Sequence, residues 1–210
     1  MERSKSNSSS SSHCVVAGLL ILLVFSPSGK LCSAGRVLDA VKASTDFIKT
    51  SCGTTMYPKL CFSTLSGYAS AIQTDPKLLA DTALSVSLTN ARSSSAMISE
   101  LSKSQLATMK PREAAAMRDC VEMVGDSVDE LQKSMAEMSH LGGPDLGFQI
   151  SNIQTWVSAA LTNEDTCMDG FAGKAMDSNI KTSIRGRILN LAQLTSNALS
   201  LINKLVNTSP

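Results

Sequence analysis

The stretch MRDCVEMVGDSVDELQKSMAEM, residues 117–138, sets apolar side chains at Met117, Val121, Val124, Val128, Leu131, Met135 and Met138. The intervals run 4, 3, 4, 3, 4, 3. That is the heptad spacing of a helix burying one seam along its length, here about 33 Å at 1.5 Å per residue. A second seam with the same steps runs through Ile184, Ile188, Leu191, Thr195, Ala198, Ile202 and Leu205. Between the two, Ile150, Ile153, Val157 and Ala160 keep the rhythm and then reach Met168 and Phe171 less regularly. Upstream, Leu79, Ala83 and Val86 open a helix whose rhythm breaks at Asn90 and the serines at 93–95, then resumes at Met97 and Leu101.

The punctuation fits four helices. Asp75-Pro76 suits a helix start, Pro111 separates the first long helix from the second, and Leu141-Gly142-Gly143-Pro144 separates the second from the third. The third and fourth part between Gly170 and Asp177. Helices of roughly 25–30 residues joined by short turns predict an all-α, up-and-down four-helix bundle, over 71–210. Composition agrees: in 210 residues only 4% are aromatic, which argues against a β-sandwich or barrel. A formal net charge of +1 argues against a nucleic-acid binder that works by neutralising phosphates.

Residues 1–34 read as a secretory signal peptide. Arg3 and Lys5 supply positive charge, Val15 to Phe25 form an apolar stretch too short to span a bilayer, and Cys32-Ser33-Ala34 offers small residues for cleavage. Without that leader the chain carries 16 bases and 17 acids (Arg3, Lys5, Lys30 and Glu2 leave), and no remaining apolar run approaches a membrane span. An exported protein free of the membrane is expected.

Cys14 and Cys32 leave with the leader, so Cys52, Cys61, Cys120 and Cys167 remain. In an oxidising compartment they predict two disulfides, with three formal pairings. The Gly-Gly-Pro turn chooses among these, because Cys120 lies 23 residues before Gly143 and Cys167 lies 24 after it. An antiparallel helix pair folded there brings the two level, giving Cys120–Cys167 and leaving Cys52–Cys61 to close a small loop around Tyr57-Pro58. Residues 35–70 fall outside the four-helix frame. Val37, Val41, Ser44 and Ile48 suggest one short helix and Lys59 to Leu65 another, an N-terminal helical hairpin whose packing on the bundle the sequence leaves open.

Reactive chemistry is missing. After leader removal the only histidine is His140, beside the Gly-Gly-Pro turn, where it serves the helix dipole or faces water. No nucleophile elbow, Walker loop or dinucleotide fingerprint occurs, and the usual His/Cys zinc sets are unavailable. Glu164 and Asp165 are adjacent, so on a helix they diverge by about 100° and make poor acid/base partners. No catalytic residue, metal or cofactor is expected. The chain reads as a binder, and one surface stands out. Glu122, Asp126 and Asp129 step 4 and 3 along the outward positions of the second long helix. Residues 112–140 hold seven acids and three bases, whereas 171–210 hold five bases and one acid. An acidic stripe of this kind is either a solvated helix face or a patch for a protein partner.

The strings MRDCVEMVGDSVDEL at 117–131 and IQTWVSAALTNEDTCMDGF at 153–171, with TSCGTTMYPKLCFSTL at 50–65, resemble the plant invertase and pectin methylesterase inhibitor family. The resemblance covers 36–206 and implies a disulfide-stapled four-helix bundle with an N-terminal helical hairpin. Invertase inhibitors of this family typically carry Pro-Lys-Phe near the start of the third bundle helix. Here that region reads Gly143-Pro144-Asp145-Leu146-Gly147-Phe148 and the motif is missing. The QTWVSAALTNEDTC run instead is similar to the pectin methylesterase branch. The resemblance thus implies a secreted inhibitor of pectin methylesterase acting in the cell wall, through a reversible one-to-one complex that covers the substrate cleft; acid invertase is the alternative partner. By position, it implies a partner surface of Glu122, Asp126 and Asp129 after Cys120, with Thr166 and Asp169 flanking Cys167.

Overall fold

The computed structural model describes residues 31–172 and 178–206. Residues 1–30 of the leader expected over 1–34, part of the break after Gly170, and Asn207-Thr208-Ser209, which has the pattern of a glycosylation sequon, lie outside the described residues. Helices α1 (Leu31–Cys52), α2 (Pro58–Leu65) and the short α3 (Ala69–Ile72) precede four long ones: α4 (Pro76–Gln105), α5 (Pro111–Ser139), α6 (Leu146–Gly170) and α7 (Ser178–Leu205). No strand occurs among the described residues. The long helices pack in a ring, α4 on α5, α5 on α6, α6 on α7 and α7 back on α4, so the up-and-down bundle is present.

Local chemistry sets the helix ends. The Asp75 carboxylate accepts from the backbone N–H groups of Lys77 (2.7 Å) and Leu78 (3.2 Å), with Pro76 in the first helical position. Before α5, the Glu113 carboxylate accepts from the Lys110 N–H at 3.1 Å. Between α5 and α6, Gly143 adopts φ +74°, a left-handed conformation that favours glycine. Gln149 clamps that turn, accepting from the Gly142 N–H (2.9 Å) and donating to the His140 carbonyl (3.2 Å).

The core refines the periodicity. All seven α7 residues named by spacing are buried. In α5 the fully buried seam is Met117, Cys120, Val124, Ser127, Leu131, Ser134 and Met138, so Val121, Val128 and Met135 stand at its edge. In α4 the seam is Ala80, Leu84, Ser87, Ala91, Ser94 and Ile98, a regular 4, 3, 4, 3, 4 run with no break. Its serines donate to the carbonyls one turn back, Ser87 to Ala83 (3.0 Å) and Ser94 to Asn90 (2.8 Å), which lets a hydroxyl occupy an apolar seam without an unpaired donor.

The N-terminal hairpin is part of this core. Helix α1 is 22 residues long, longer than its periodicity suggests, and the Cys52–Cys61 disulfide (Cα–Cα 5.5 Å) ties it to α2. Ile48, Cys52, Cys61, Leu65, Ala69 and Ile72 join the same buried cluster as the bundle. Asn197 of α7 completes the docking, accepting from the Tyr57 N–H (3.0 Å) and donating to its carbonyl (3.1 Å). Lys204 donates to the Ser51 carbonyl at 2.8 Å, placing a cation at the C-terminal end of α1.

Candidate functional site

Helices α5 and α6 are locked in one register at three levels. The Cys120–Cys167 disulfide brings its Cα atoms to 4.4 Å. Eleven ångström or so along the pair, the Ser127 hydroxyl is shared between the Met123 carbonyl of its own helix and the Ala160 carbonyl of α6, each at 3.1 Å. At the other end, a Cβ added to Gly170 would meet the Ala116 Cβ at 3.6 Å. Cysteine, serine, alanine and glycine occupy these contacts, so the two backbones approach closely and have little room to slide.

Glu122, Asp126, Asp129, Thr166 and Asp169 are all exposed. The register sets Glu122 level with Asp165 and Thr166 level with Val121, so Glu122 and Thr166 stand at nearly one height along the pair; by helical phase Asp126 leans toward α6, while Glu122, seven residues before Asp129, shares the outward face of that residue. Asp129 turns toward α4, where it accepts from Gln132 (3.3 Å), which in turn accepts from Arg92 (3.0 Å). Asp169 lies about one turn beyond Glu122 and, by helical phase, leans toward α7. Lys133 is spent on Glu130 at 3.1 Å, leaving the stripe acidic.

The α6 side of this face carries residues that the acidic spacing does not reveal. Thr155, Thr162 and Thr166 are stacked at steps of 7 and 4, and each hydroxyl donates to the carbonyl four residues back, at 2.9, 3.0 and 2.7 Å. Their donors are therefore satisfied within the helix, while methyl groups and oxygen lone pairs face outward. Phe148 begins the same row one heptad before Thr155 and is 70% exposed. The signal was present in the sequence as a 148–155–162–166 spacing, hidden because hydroxyl residues read as neutral filler in a search for charge.

Glu164 has a different fate from its neighbour Asp165. It is fully buried and occupies the α6 seam between Ala160 and Cys167, while Asp165 faces solvent. The Thr195 hydroxyl donates to its Oε1 at 3.0 Å, and Oε2 has no hydrogen-bond partner. Burial pushes this carboxyl up to about 8, opposed by the Thr195 bond and assisted by the nearby Asp165 charge. It is a neutral core group in acid, not half of an acid/base pair. Burial also raises Asp81, with Lys77 pulling the other way, and lowers Lys204. Among the described residues there is no cluster of three or more His, Cys, Asp or Glu able to hold a metal, and no helix long and apolar enough to cross a membrane.

Residues 46–201 match the family model described as plant invertase/pectin methylesterase inhibitor. The chain is 49% identical over 172 residues to a "21 kDa protein" of Daucus carota, covering 80% of this chain and 88% of that one. It is 47% identical over 175 residues to Pectinesterase inhibitor 11 of Arabidopsis thaliana, covering 81% and 86%. Among solved structures it superposes on a mutant form of a pectin methylesterase inhibitor from Arabidopsis with a TM-score of 0.60 at 21% identity, covering 74% of this chain and 95% of that one, a likeness of fold.

Proposed function

Because the chain belongs to the plant invertase/pectin methylesterase inhibitor family, we propose that it is a secreted inhibitor of pectin methylesterase that acts in the cell wall. The family is one of inhibitors, and the chain is not an enzyme. Inhibition is steric and reversible. The outer face of α5 and α6 lies across the substrate cleft of one esterase molecule and keeps the polymer out, which limits demethylesterification of pectin.

The observation that carries this reading is the three-level lock between α5 and α6. A face already rigid before contact loses little conformational freedom on binding, so more of the contact energy is expressed as affinity. On that face Glu122 and Asp126 offer acceptors only, the threonine row offers methyl groups and lone pairs, and Phe148 offers an aromatic anchor of the kind that dominates interface energetics. Asp129 and Asp169 form its two edges. Such a surface suits an enzyme cleft rich in hydrogen-bond donors.

The test is residual activity. Purified protein incubated separately with a pectin methylesterase and an acid invertase should suppress the esterase in a saturable one-to-one titration and leave the invertase active. Suppression of the invertase alone, or of neither enzyme, overturns the reading.

A further inference from the structure

On the side of the bundle opposite α5/α6, the outer surface of α4 and the flank of α7 form an open cleft of about 320 Å³ whose lining includes Tyr68, Ser85, Val86, Asn90, Ser93 and Arg187. Tyr68 closes one end from the turn after α2, and Arg187 of α7 reaches in at the other. From Thr82 to Ser93 the helix rises about 16 Å, room for a chain of a few sugar rings.

Its chemistry is one-sided. The Arg187 guanidinium is held in place by serine hydroxyls, Nε donating to Ser94 Oγ at 3.1 Å and Nη2 to Ser93 Oγ. No carboxylate pairs with it among the described residues, so its charge is oriented but not neutralised, and Nη1 is left for a ligand. No acidic residue lines the cleft. Asn90 and Ser85 add neutral polar groups that hydrogen-bond hydroxyls, and the Tyr68 ring, 47% exposed, offers a flat apolar face. An oriented arginine, several hydroxyl partners and one aromatic face together describe a ligand that is carboxylated, rich in hydroxyls and ring-shaped.

We propose that the α4/α7 cleft binds an oligosaccharide of uronic acid, its carboxylate paired with Arg187 and a sugar ring carried on Tyr68. The choice of uronate rests on the function proposed above, since hydrolysis of pectin methyl esters leaves free uronate carboxylates. The cleft would hold the inhibitor on polymer that is already demethylesterified, while the α5/α6 face stays free for the enzyme.

The full chain, with both disulfides, is titrated calorimetrically with trigalacturonate, its fully methyl-esterified form, maltotriose, acetate and a short poly-aspartate peptide. Saturable binding of trigalacturonate alone is expected, weakened about tenfold or more in both Arg187→Gln and Tyr68→Ala, an effect equal to loss of one good contact. Tyr68→Ala leaves the Arg187–serine bonds in place, so it reads the cleft even if Arg187→Gln loosens the bundle. Both variants should inhibit esterase as well as the parent does. No saturable binding, equal binding of the methyl ester, acetate or the peptide, or full binding by both variants overturns the proposal. Binding that survives in a protein that inhibits no esterase upholds the cleft and overturns only the function proposed for the opposite face.

Discussion

The α5–α6 contact and the α4–α7 contact join helices of similar length by opposite means. Between α5 and α6, the side chains at the contact are Ala116, Cys120, Ser127, Ala160, Cys167 and Gly170, short enough for the backbones to close upon each other. Between α4 and α7, the long Arg187 side chain reaches across to Ser93 and Ser94 and leaves a cleft beside it. Short side chains make a fixed surface that a rigid partner can read. A bridging arginine makes a polar recess that a flexible ligand can enter.

The strongest way to break this comparison is to remove the staple. A Cys120→Ser, Cys167→Ser protein should lose about 4 kcal/mol of unfolding free energy on the chain-entropy model for its 47-residue separation, read from urea denaturation. Esterase inhibition should fall with it. Unchanged potency in the double variant would show that the α5/α6 face does not depend on rigidity.

Next in size is the pH dependence set by Glu164. Its carboxyl is raised from 4.5 to about 8 on folding, so between those values the folded state retains a proton that the unfolded state has released. Stability should therefore be greatest in acid, fall by a few kcal/mol as pH rises through that window, at up to about 1.4 kcal/mol per unit, and level off above it. Melting temperatures at pH 4, 6 and 8 should show this decline in the parent and a much flatter profile in Glu164→Gln. Parallel slopes in the two proteins would contradict it.

Smaller effects sharpen the contrast between the two sides. Phe148→Ala should cost about 2 kcal/mol of esterase affinity and under 0.5 kcal/mol of stability, because the ring is exposed. Asn197→Ala should do the reverse. Losing both bonds to Tyr57 should destabilise the protein by about 1–2 kcal/mol and raise hydrogen exchange in α2, with inhibition unchanged.

Much of the bundle could be read from the chain because heptad spacing and turn residues agree at Met117–Met138, Ile184–Leu205, Asp75-Pro76 and Gly142-Gly143. What escaped was polar residues placed in the seams. Asn90 and the serines at 93–95 interrupt the apolar spacing of α4, although Ser94 sits in the seam with its hydroxyl satisfied one turn back, as Ser87 does. Glu164 made α6 look irregular, although its place continues the 3, 4 steps from Ala160 to Cys167 and Phe171. A hydrophobicity pattern has no means of telling a carboxyl that folds in neutral from one that faces water. For the proposed face, charge spacing marks Glu122, Asp126 and Asp129 but not the threonine row or Phe148. Only the α5–α6 register shows which acids stand beside Thr166, because that depends on contacts between helices and not on either helix alone.

The most direct test of the inhibitory face is hydrogen exchange on the full chain, free and bound to a pectin methylesterase, read peptide by peptide. Slower exchange across 118–133 of α5 and 148–170 of α6, with α1, α2 and the outer side of α4 unchanged, is the predicted result. Protection confined to the hairpin or to the α4/α7 side would contradict it.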